Sequence, residues 1–206
     1  MAINATNEGG SYTPVDAGTY AARCYSMVHI GTIEEDYMGE TKMLNKVRIS
    51  WELPTELKVF DEAKGEQPSS ISKEFTLSMN EKSNLRKFLE SWRGKGFTED
   101  EAKRFDITTL LGKPCMVSVI HKTSKKGKTY ADISGVTTVP KGLAVPEQIN
   151  KNFEFSYEPF DQDKFDSLPQ FLKDKITKSE QFKSLSTPQE FEMSKNDEPT
   201  TDDLPF

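Results

Sequence analysis

Leu44-Asn-Lys-Val-Arg-Ile-Ser-Trp-Glu-Leu53 decides the fold class. Val47, Ile49, Trp51 and Leu53 alternate with Lys46, Arg48, Ser50 and Glu52. Successive side chains of a strand point to opposite faces, so this stretch has one core face and one polar face. Upstream, Gly18 to Ile30 also reads as a strand. It has Tyr20, Ala22, Cys24, Ser26, Val28 and Ile30 on one face. Ala21, Arg23, Tyr25, Met27 and His29 fall on the other. Thr32 to Met43, which contains Gly39, reads as a polar connection. Downstream, Pro54 to Ser70 reads as a charged loop punctuated by Pro54, Gly65 and Pro68. Ile71 to Met79 is a third strand.

A helix is expected next. Ser83 is a suitable N-cap, and Leu85, Phe88, Leu89 and Trp92 recur at helical spacing up to Gly94 and Gly96. Thr98 and Glu101 have capping-box spacing and open a second, short helix. Pro114 to Lys122 and Thr129 to Val136 are the fourth and fifth strands, joined by a polar turn at Gly127. The expected fold is therefore mainly β with a helical insertion. Five strands with helices between strands 3 and 4 is the order of the five-stranded Greek-key barrel known as the OB-fold. Trp51, Phe75, Phe88 and Trp92 sit on apolar stripes and are read as core. From Val139 onward the chain reads as extended and loose. One amphipathic segment, about Leu168 to Phe182, carries Phe171, Leu172, Ile176 and Phe182, and is expected either to pack on the barrel or to form a partner helix.

The chain has 206 residues, 34% of them hydrophobic, with a mean hydropathy of -0.66. That is low for a wholly globular chain and fits a folded part joined to a polar, unfolded one. No apolar run approaches the roughly 20 residues that span a bilayer. The N-terminus has neither a basic nor an apolar signal region, so no signal peptide is expected. Cys24 and Cys115, the two cysteines, form no disulfide framework and suit a reducing cytoplasm. The net charge is -6. From Ser186 onward six acids face one base, giving -5 there and leaving -1 for residues 1–185. The folded part is thus nearly neutral and can hold basic patches.

The chemistry that the chain could carry narrows quickly. Neither His29 nor His121 belongs to a nucleophile constellation, and the sequence lacks a P-loop, G-x-S-x-G and G-x-G-x-x-G. No enzyme, cofactor or metal site is expected; the spacing of Cys24, His29, Cys115 and His121 matches no closed zinc pattern. Nucleic-acid binding is better supported. His121-Lys-Thr-Ser-Lys-Lys-Gly-Lys-Thr-Tyr130 places Lys122, Lys125, Lys126 and Lys128 around one turn beside Tyr130. In a barrel this turn joins strands four and five, one of the loops that OB-folds use on oligonucleotides. Arg23 and Tyr25 on the first strand, with Lys46 and Arg48 on the second, would extend a basic, aromatic face. Lysines release counterions from phosphates, and rings stack on bases for about 1–3 kcal/mol each. The plainer alternative is that the lysine turn is a solvated hairpin and Tyr25 a core residue.

The other distinctive segment is the end of the chain. Asp197, Glu198, Asp202 and Asp203 precede an apolar tip, Leu204-Pro-Phe206. Pro199 and Pro205 interrupt any helix or strand there. Such a segment suits capture by another protein, with apolar anchors and flanking charge.

A basic barrel, a loose linker and this acidic tip together resemble the single-stranded DNA-binding proteins of bacteria and bacteriophages. The bacterial family typically ends in Asp-Asp-Asp-Ile-Pro-Phe, and Asp202, Asp203, Leu204, Pro205 and Phe206 match its last five positions with Leu for Ile. Gly18-Thr-Tyr20, Leu44 to Leu53 and Leu110-Leu-Gly-Lys-Pro-Cys115 look similar to phage members. The insertion from Ser83 to Phe105 departs from the bacterial proteins, where none of that size occurs. The resemblance implies a protein of phage replication, recombination or repair in the host cytoplasm. It would coat single-stranded DNA and recruit a polymerase, primase, helicase or exonuclease through residues 202–206, with no membrane partner and with self-association compatible. The expected organisation has a flexible arm at 1–16 and an OB-fold DNA-binding domain at 17–140. An extended segment with the amphipathic helix follows at 141–185, then a disordered acidic tail at 186–206. The alternative is a recombination mediator or inhibitor that competes for the docking pockets of such tails without binding the strand tightly.

Overall fold

The computed structural model describes residues 14–37 and 39–186. The arm before Pro14 and the tail after Ser186, including the tip at 202–206, lie outside the described residues.

Strands β1 (Gly18–Tyr37), β2 (Glu40–Asp61) and β3 (Gly65–Thr76) form a long meander. Helices α1 (Asn84–Arg93) and α2 (Glu99–Arg104) and a 3-10 turn at Ile107–Leu110 follow. Then come β4 (Pro114–Thr123) and β5 (Thr129–Thr137). The five strands lie in the order β3-β2-β1-β4-β5, antiparallel throughout. The sheet curls until its two edges approach. Lys73 of β3 reaches across the gap to the Ile133 carbonyl and the Asp132 carboxylate of β5. The edges are not hydrogen-bonded to each other as strands, so the result is a half-barrel with an open seam. It is compatible with an OB-like fold.

The concave side holds the main core. Val47, Ile49, Trp51 and Leu53 point inward as their alternation demands, and three of them are fully buried. Helix α1 closes this core with Leu85, Leu89 and Trp92. Its start and stop follow the sequence signals. The Ser83 hydroxyl accepts from the Arg86 N–H, and Gly94 ends the helix at φ 68°. The Thr98–Glu101 capping box is formed at α2. Arg86, a buried cation, is satisfied by Glu90, Glu99 and the carbonyls of Met79 and Phe97. That pairing is what makes its burial tolerable.

Three expectations are corrected. The single alternating face expected for the first strand does not hold along its length. A bulge between Cys24 and Ser26 inserts one residue and the side chains after it change face, until a second register shift between His29 and Gly31 changes them again. Ala22, Cys24 and Met27 enter the main core, whereas Val28 and Ile30 point outward. Next, Thr32 to Met43 and Pro54 to Ser70 are largely strand rather than connections. Finally, the chain beyond Val139 forms a second small core. Strand β6 (Phe153–Phe155) runs parallel to β1, and helices α3 (Gln162–Ser167), α4 (Gln170–Ile176) and α5 (Glu180–Ser186) follow. Phe155, Tyr157, Phe165, Leu172 and Ile176 cover Val28, Ile30 and Ile33 on the outer side of β1. Leu172 and Ile176 of the amphipathic segment are buried, while Phe171 stays exposed. Gly31 is required at this junction. Its φ is +91°, and a Cβ there would lie 2.7 Å from Cβ of Ser179.

Candidate nucleic-acid interface

The nine residues proposed for nucleic-acid contact fall into two groups. Lys122, Lys125, Lys126, Lys128 and Tyr130 lie together on the β4–β5 hairpin, with Lys122 and Tyr130 as cross-strand partners. The turn closes through Gly127 N–H to the Ser124 carbonyl and Ser124 N–H to the Lys128 carbonyl, each at 2.9 Å. Gly127 takes φ +77° there. Lys125, Lys126 and Lys128 are exposed, and among the described residues no carboxylate pairs with them. Tyr130 is 41% exposed beside them. This is an uncompensated positive turn with a ring at its base.

The second group, on β1 and β2, is differently disposed. Arg23 donates to the carbonyls of Pro146, Gly112 and Val145, so its guanidinium pins the segment that crosses the outer face of the sheet. Glu52, fully buried, anchors the same segment by accepting from Ile149 N–H, Asn150 N–H and the Asn150 amide. Lys46 pairs with Glu35 at 2.7 Å. Arg48 pairs with Glu74 at 3.2 Å and lies 5.2 Å from the centre of the Phe171 ring. Lys175 also reaches Glu74, at 2.7 Å. Tyr25 is half-buried and hydrogen-bonded to Ser70; burial pushes its phenol up while that bond acts against the shift. The basic face expected on β1 and β2 is thus largely committed to the protein's own carboxylates and carbonyls.

Two residues absent from the expectation stand on the β2–β3 hairpin. Phe60 is 62% exposed, and Lys58 is near it on the same side of the strand. A bulge between Leu53 and Leu57 bends this hairpin. Arg48, Lys58 and Phe60 share a pocket with Ala131, the neighbour of Tyr130, on the far side of the open seam. The sequence offers little signal for them: Val59 and Phe60 are adjacent apolar residues, which breaks the alternation of a half-buried strand.

The seam has its own electrostatics. Asp132 receives Lys73 at 3.0 Å and also Lys122. Burial pushes the Asp132 carboxyl up, but the two ammonium groups outweigh that and hold it below the usual range. A depressed carboxyl contributes stability above its unfolded pKa and loses it as pH falls through the folded pKa. Asp132→Asn is therefore expected to cost about 1–3 kcal/mol at pH 7. The difference from the unmodified protein should shrink as pH falls below the usual carboxylate range, as urea unfolding at pH 7 and pH 2 would show. An equal cost at both values would remove the ion pairs as the cause.

Among the described residues, no group of three or more His, Cys, Asp or Glu side chains could hold a metal ion. Cys24 and Cys115 are buried free thiols, and burial pushes the Cys24 thiol up to about 12. His29 bonds Asn45, and His121 donates to the Val15 carbonyl. Among the described residues no helix is long and apolar enough to cross a membrane. No family model matches the chain, and neither a curated protein nor a solved structure matches it.

Proposed function

We propose that the protein binds single-stranded DNA without catalysing a reaction, in phage replication, recombination or repair, and recruits enzymes of those processes through residues 202–206. The observation that carries the reading is the lysine turn. Three exposed, unpaired cations stand beside Tyr130 and across a seam from Phe60. A cationic track with exposed rings is what sequence-tolerant single-strand binding needs. The strand order and the helices between β3 and β4 support an OB-fold, whose β4–β5 loop commonly grips oligonucleotides. The tail's part in the proposal rests on its match to the bacterial tip.

A second reading has its own support. The pairing of Lys46 and Arg48 with carboxylates leaves less free positive surface than the sequence promised. It favours an interaction module that competes for tail-docking pockets. One titration separates the two. Fluorescent oligo(dT) and matched duplex are titrated at two salt concentrations, with the full chain and with a chain ending at Thr201. We expect tight, salt-weakened binding to the single strand alone, kept or strengthened by the truncation. Equal weakness toward both nucleic acids would overturn single-strand binding in favour of the interaction module.

A further inference from the structure

We infer that the pocket between the β2–β3 hairpin and β5 seats one unstacked nucleobase, so that the protein grips bases as well as phosphates. This rests on the single-strand reading above and adds a site to it. The pocket measures 250 Å³. That is below the roughly 300–1,000 Å³ of pockets for drug-sized ligands, and it suits a single ring system.

The lining is assembled from unlike parts. Val15, Ile71 and Ala131 supply an apolar floor. Phe60 supplies a ring that the fold leaves 62% exposed, although burying it would be favourable. Arg48 and Lys58 are the charged members, and no carboxylate belongs to the lining. An anionic chain can therefore approach from solvent. The remaining wall is Ser69-Ser-Ile-Ser72 on the edge strand β3.

Those hydroxyls are not equivalent. Ser72 donates to Ser50 at 2.9 Å, and Ser70 is held by Tyr25. Ser69 is only 2% exposed, yet its hydroxyl has no hydrogen-bond partner among the described residues. A buried polar group without a partner is costly and uncommon in a native fold. That hydroxyl has no surface open to the pocket, so a base would meet this wall by contact alone. The ring stacks on Phe60, and Lys58 takes a flanking phosphate.

The test compares oligo(dT) with an abasic strand of equal length, which keeps the phosphates and lacks the rings. The unmodified protein is expected to favour oligo(dT) by about tenfold or more. Phe60→Ala should close most of that gap with abasic binding unchanged, whereas Ser69→Ala should leave both affinities as they are. Ser69→Ala should also raise the melting temperature, because alanine removes an unpaired hydroxyl. Phe60 is exposed, so its replacement leaves the fold intact, as circular dichroism would verify. Equal affinity of the unmodified protein for both strands, or a Phe60→Ala variant that binds both as it does, overturns the base pocket and leaves single-strand binding standing. Binding to neither strand overturns both.

Discussion

Replacing Trp51 by alanine is expected to destabilise the protein by about 3–5 kcal/mol, the usual cost of emptying a large aromatic site in a core. Trp51 is fully buried at the middle of β2. Its ring centre lies 5.5 Å from Phe88 and 5.8 Å from Trp92, so it joins the sheet to the helix that closes the half-barrel. A loss of that size is a large share of the roughly 5–15 kcal/mol that holds a domain together. Trp51→Phe should cost far less. It keeps an aromatic ring, and it removes an indole N–H that is buried without a partner among the described residues. Urea unfolding followed by far-ultraviolet circular dichroism gives both numbers. The phenylalanine variant should bind oligo(dT) as the unmodified protein does, which separates a core tryptophan from a stacking one. If alanine cost less than about 1 kcal/mol, Trp51 would not be the centre of this core.

Much of this was readable beforehand because it is local. Alternation from Leu44 to Leu53 needs only the period of a strand, and the caps at Ser83 and Thr98 need only three or four residues. The lysine turn is legible for the same reason: the hairpin that presents it is contiguous in sequence. What escaped depends on distance or on a single inserted residue. The bulge after Cys24 leaves no compositional trace, yet it reverses the faces of β1 as far as the second register shift between His29 and Gly31. The β2–β3 ribbon past Pro54 exposes much of its surface, so its residues show less of the alternation that marks a half-buried strand.

The segment beyond Val139 has helices of only six or seven residues, so a helical period shows only around Leu172 and Ile176. Its better signal was aromatic density, with Phe153, Phe155, Tyr157, Phe160 and Phe165 in close succession. The site was half legible for a related reason. That Arg23 and Lys46 are basic is plain in the sequence. That Arg23 is spent on carbonyls more than a hundred residues away, and Lys46 on Glu35 of the neighbouring strand, follows only from the folded chain.

The same distinction sets the size of the second effect. Lys125→Glu, Lys126→Glu and Lys128→Glu made together should weaken oligo(dT) binding by about two to three orders of magnitude at ~50 mM salt. Each phosphate contact on a single strand contributes about 0.7 to the slope of log affinity against log salt, so losing three should flatten that slope by about 2. Arg48→Ala, in contrast, removes a cation already partnered by Glu74 and should change the slope by less than one contact's worth. The lysines are exposed, and the turn closes through backbone bonds at Ser124, Gly127 and Lys128 that the substitutions keep. A loss of affinity with the slope unchanged would mean that these ammonium groups do not meet phosphates. A flattened slope with the fold intact would place the strand on the β4–β5 turn. The committed cations of β1 and β2 would then act as scaffold, holding the outer layer of the sheet while the turn carries the nucleic acid.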